Sequence, residues 1–67
     1  MRSERDLTKR ERHYLEALAL AHMLSPPDSG EEDLLADALN AARDNMDIDD
    51  EVIDQFQQRA AKEASKR

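Results

Sequence analysis

A chain of 67 residues with net charge −6 can hold one domain at most, and such a length buries only about 60% of the surface its unfolded form exposes. It has no cysteine, so neither disulfides nor thiolate metal sites support it. No apolar run approaches the roughly 18 residues of a membrane span, and Met1-Arg2-Ser3-Glu4-Arg5-Asp6 is too charged for a signal peptide; the cytosol is the expected location.

Charged residues make up 39% of the chain, a level compatible with disorder. The apolar residues nonetheless recur at helical spacing, which favours a single folded domain over 1–67, with 1–6 and 65–67 as loose ends. The first helix is expected over 8–24. Thr8-x-x-Glu11 has capping-box spacing, in which each side chain satisfies an orphan N–H of the first turn. At 100° per residue Leu7, Leu15 and Leu18 cluster on one side with Tyr14 beside them, while Ala17, Leu20 and Leu24 occupy another and Ala21 joins the two. This arc is wider than one neighbour can cover. Ser25-Pro26-Pro27 ends the helix, because proline disfavours helical geometry in the residue before it.

The second helix is expected over 30–45, with Ser29 as its cap and capping-box spacing to Glu32. Leu34, Leu35, Ala38, Leu39, Ala42 and Met46 form its apolar stripe. The third is expected over 49–64, capped by Asp49, with Ile48 and Ile53 placed as a hydrophobic staple. Val52, Ile53, Phe56, Ala60 and Ala64 are its buried stripe. The simplest architecture is all-α, a small three-helix bundle with frayed termini and Leu18, Leu35, Leu39, Ile53 and Phe56 in the core.

Nothing in this pattern supports catalysis. His13 and His22 fall on opposite sides of one helix, and none of the four serines has a local base. A bundle this small has little room for a small-molecule pocket. Asp47-Ile48-Asp49-Asp50-Glu51 has the look of a calcium loop, but an EF-hand needs Gly at position six and Glu at twelve, where this chain has Val52 and Gln58. No cofactor or metal is expected.

The charge is unevenly spread. Residues 28–54 carry eleven acids against Arg43 alone, whereas residues 55–67 carry four basic groups against Glu63. Many of these acids sit in first turns, where the helix dipole favours them. That cannot account for Asp37, Asp44 and Asp54. Asp33, Asp37 and Asp44 fall within about 40° of one another on the second helix. With Asp50 and Asp54 they are the candidate contact surface for a protein partner that presents a basic surface, including a site that ordinarily binds nucleic acid. Ala17, Leu20, Met23 and Leu24, the excess apolar surface of the first helix, are the candidate interface for a homodimer or a docking partner.

Leu7-Thr8-Lys9-Arg10-Glu11 resembles the opening of LuxR-type DNA-binding domains, which implies a helix-turn-helix that reads DNA. The Pro-Pro break and the acidic run downstream depart from that pattern. The third helix, in the place of a recognition helix, begins with Asp49, Asp50, Glu51 and Asp54, which would oppose phosphate contact. The expected function is therefore that of a small, non-enzymatic regulatory or inhibitory protein, of the kind a phage or mobile element could encode, which binds another protein through an acidic helical face. The alternatives are a nucleic-acid-associated regulator that uses its basic termini and a structural assembly subunit. Neither a direct nucleic-acid ligand, nor a membrane, nor a small molecule is expected.

Overall fold

Three side-chain caps set where the helices begin. In the computed structural model, which describes residues 2–66, Thr8 Oγ1 accepts from the Glu11 N–H at 3.1 Å while the Glu11 carboxylate accepts from the Thr8 N–H at 2.9 Å. That closed box starts α1 (Lys9–Leu24). Ser29 Oγ accepts from the Glu32 N–H at 3.1 Å and starts α2 (Gly30–Met46). Here the expected box is displaced by one residue: the Glu32 carboxylate accepts from Asp28, 3.2 Å away, because Asp28 turns back at φ 61°. Asp49 caps α3 (Asp50–Ser65) by accepting from the Glu51 N–H.

The stops are equally local. Ser25, ahead of two prolines, is extended at ψ 142°. At the other connection Asp47 takes the left-handed conformation at φ 53°, and the Ile48 N–H returns to the Arg43 carbonyl at 3.0 Å. This Schellman-type closure satisfies a carbonyl of the last turn and buries Ile48. Ile48 and Ile53, the expected staple, are both buried.

The three helices form a bundle, and no strand occurs among the described residues. α1 is its central element: it packs against both neighbours, most extensively against α3, while α2 and α3 touch sparsely. This accounts for the wide apolar arc of α1. Leu15, Leu39 and Phe56 are the largest fully buried side chains. Ala19, also fully buried, places only a methyl group where α1 is enclosed by its neighbours.

Several expectations need correction. Leu18 and Leu35 are half-buried rather than central. Leu34, assigned to the inner stripe of α2, is 71% exposed, because it lies 140° around the helix from Leu39 and cannot face the same neighbour. The segment before α1, expected to be loose, forms a 3-10 turn (Glu4–Asp6) and buries Leu7. The Arg2 N–H donates to the Asp47 carbonyl at 2.8 Å, and Glu4 pairs with Arg59 of α3 at 2.6 Å. At the other end α3 continues through Ser65, one residue beyond the expected stop. Met1 and Arg67, included in the loose ends, lie outside the described residues.

Candidate functional site

The outer side of α2 follows from its inner one. Leu39 and Ala42 point into the bundle, so residues about 140–180° around the helix must face solvent. Asp33, Asp37 and Asp44 occupy that sector, and all three are exposed. At 1.5 Å per residue, the three carboxylates spread over roughly 16 Å of helix. Among the described residues no cation lies within 4 Å of Asp33 or Asp37.

The row continues around the α2–α3 connection by way of one cation. Arg43 Nη1 donates to Asp50 at 2.6 Å, and its Nε lies 3.4 Å from Asp44. Asp50, followed by Asp44, holds the Arg43 guanidinium still more firmly in its charged form. Asp44 and Asp50 are thus partly neutralised by Arg43, unlike Asp33 and Asp37. Asp54 stands one turn beyond Asp50 on α3 and is exposed. Arg43, Asp44, Asp47, Asp49 and Asp50 together make a strongly acidic corner with one basic member. Among the described residues no group of three His, Asp or Glu side chains could hold a metal ion.

The basic ends behave differently. Arg2 makes a bidentate pair with Glu11 at 2.7 and 2.8 Å and also donates to the Asp6 carbonyl at 2.8 Å. This pair, followed by the hydrogen bond from the Thr8 N–H, holds the Glu11 carboxyl down at about 2, below its ordinary value of 4.5. Arg59 is paired with Glu4 and lies over the Phe56 ring, 5.1 Å from its centroid. The N-terminal segment therefore lies against the start of α3, beside Asp49 and Val52, rather than against the basic C-terminal turn, and Arg2 and Arg59 are each paired with a carboxylate.

The interface expected on α1 divides. Leu20 and Met23 pack against the core, because α3 covers that side of α1. Ala17 and Leu24 face outwards, Leu24 being 50% exposed. Two further apolar side chains are exposed, Tyr14 (48%), beside the leucine cluster of α1, and Leu34 (71%), expected in the inner stripe of α2. The 140° separation of Leu34 from Leu39 was the available signal. His13 is exposed and His22 half-buried, with its Nδ1 buried and lacking a hydrogen-bond partner among the described residues.

No helix among the described residues is long and apolar enough to cross a membrane. No protein-family model matches the chain, and no curated protein or solved structure is significantly similar to it.

Proposed function

We propose that this is a small, non-enzymatic regulatory or inhibitory protein that docks the acidic outer face of α2, extended by the α2–α3 corner, on a basic surface of another protein. The observation that carries the proposal is the row of Asp33, Asp37 and Asp44: exposed, opposite the buried stripe, and with the first two free of any cation within 4 Å among the described residues. A rigid helix presenting carboxylates in one row suits a surface rich in Lys and Arg, including one that otherwise takes phosphates. The nucleic-acid alternative is less well supported, since Arg2 and Arg59 are already paired with Glu11 and Glu4 and α3 begins with acids.

The test compares variants of the tagged protein in capture from extracts of its own cell. Asp33→Lys, Asp37→Lys and Asp44→Lys together are expected to abolish the partner that the parent retains, with melting little changed. That partner should also be released as salt shortens the Debye length below about 8 Å. Reversal of Arg10, Arg12, Lys62 and Lys66 should leave capture intact. The opposite ranking, with salt-sensitive retention of DNA or RNA in a gel shift, would overturn the proposal.

A further inference from the structure

The α1–α2 hairpin is covered on one side only. Tyr14 and Glu16 flank the buried Leu15 on opposite sides of α1. On the Glu16 side α1 meets α3. On the Tyr14 side a shallow groove runs between α1 and α2, with Arg10 and the Arg2-paired Glu11 on its α1 side and Ala38, Ala41 and Met46 as its floor on α2. The large apolar side chains left exposed, Tyr14, Leu24 and Leu34, all belong to this hairpin and none to α3. Leu34 precedes Ala38 by four positions and Ala41 by seven, so it extends the same row of α2. A four-helix bundle would place its fourth helix here.

What lies along the rim indicates the occupant. Asp37 stands about 40° around α2 from Ala41 and Asp44 about 60°, so the acidic row borders the groove on its α2 side. A second copy of the chain fits poorly. α1 carries three cations and two anions, and α2 one cation and five anions, so two hairpins face to face would bring net negative charge together. We propose that the groove takes an amphipathic helix of another protein. Its apolar stripe lies on Tyr14, Leu34, Ala38 and Ala41, and lysines or arginines on its flank meet Asp33, Asp37 and Asp44. The inference rests on the acidic-face reading and gives that surface a partner class; helix-in-groove recognition reads apolar anchors at i, i+3, i+4 and i+7.

The probe is a labelled synthetic peptide of about 17 residues, the length of α2, with Leu at those four spacings and Lys elsewhere, followed by fluorescence anisotropy. A scrambled peptide of the same composition and a version with Glu in place of Lys are the controls. The amphipathic Lys peptide is expected to bind at least tenfold tighter than the scrambled one, and the Glu peptide not at all. Leu34→Gln with Ala41→Gln, which leave the charge unchanged, should weaken binding at least tenfold while lowering the melting temperature by only a few degrees. Equal binding of the scrambled peptide would overturn the groove. So would full binding by the groove variant alongside failure of Asp33→Asn/Asp37→Asn/Asp44→Asn, a result that leaves the acidic-face reading standing alone. Absence of any peptide binding would overturn it too, as would a dimer in sedimentation that the groove variant dissociates, since the occupant would then be a second copy.

Discussion

Leu34 and Leu39 are the same residue type five positions apart on one helix, and the structure assigns them opposite environments. Leu39 is 1% exposed and Leu34 is 71% exposed. Leu39→Ala removes three buried carbons, about 2.4 kcal/mol at roughly 0.8 kcal/mol each. The cavity left behind raises this to about 3 kcal/mol, within the range of about 2–5 for such substitutions. Leu34 has less than a third of its surface to lose, so Leu34→Ala should cost about 0.5 kcal/mol, with alanine's better helix propensity reducing this further. A domain of this length has a total stability of roughly 3–10 kcal/mol. Leu39→Ala should therefore lower Tm by roughly 12–24 °C and Leu34→Ala by only a few degrees. Thermal and urea unfolding followed by circular dichroism at 222 nm measures both. Equal losses from the two substitutions, or a larger one from Leu34→Ala, would refute the assignment of the inner and outer sides of α2 and the groove with it.

Other outcomes follow from single features. Ala19→Leu should destabilise by about 1–3 kcal/mol through overpacking, since Ala19 is fully buried where α1 meets its neighbours; chemical denaturation checks this. Asp47 sits at φ 53°, so Asp47→Gly should be neutral or stabilising, whereas Asp47→Val should cost about 1–2 kcal/mol in the same assay. The Glu11 carboxyl is held at about 2 in the fold against an ordinary 4.5, so its stabilising contribution is complete above about 4.5 and is lost as pH falls towards about 2. Glu11→Gln should remove that part of the acid-induced fall in Tm, and hydrogen exchange should show the Arg2–Leu7 segment loosened at neutral pH.

The starts and stops of the helices were legible in the sequence because they are local chemistry. Thr8, Ser29 and Asp49 each satisfy an N–H within three residues, and Pro26 acts on the residue directly before it. The acidic row of α2 was legible for the same reason, since helical geometry alone sets residues 33, 37 and 44 on one side. The order of the lead segment was not legible, because Arg2 finds Glu11 and Asp47, and Glu4 finds Arg59, across separations that no short-range pattern encodes. Periodicity also could not say which sides of a broadly apolar helix would be covered. Burial depends on where the neighbours stand, and here α3 lies along α1 on the side of Glu16 and Leu20. Three capped helices and an outward row of carboxylates could be read from the residues alone, because both depend on spacing along one backbone. Leu20 and Met23 pack against the core while Tyr14 and Leu34 are left at an open groove through the packing of the helices, because that choice depends on which side of the hairpin the third helix takes.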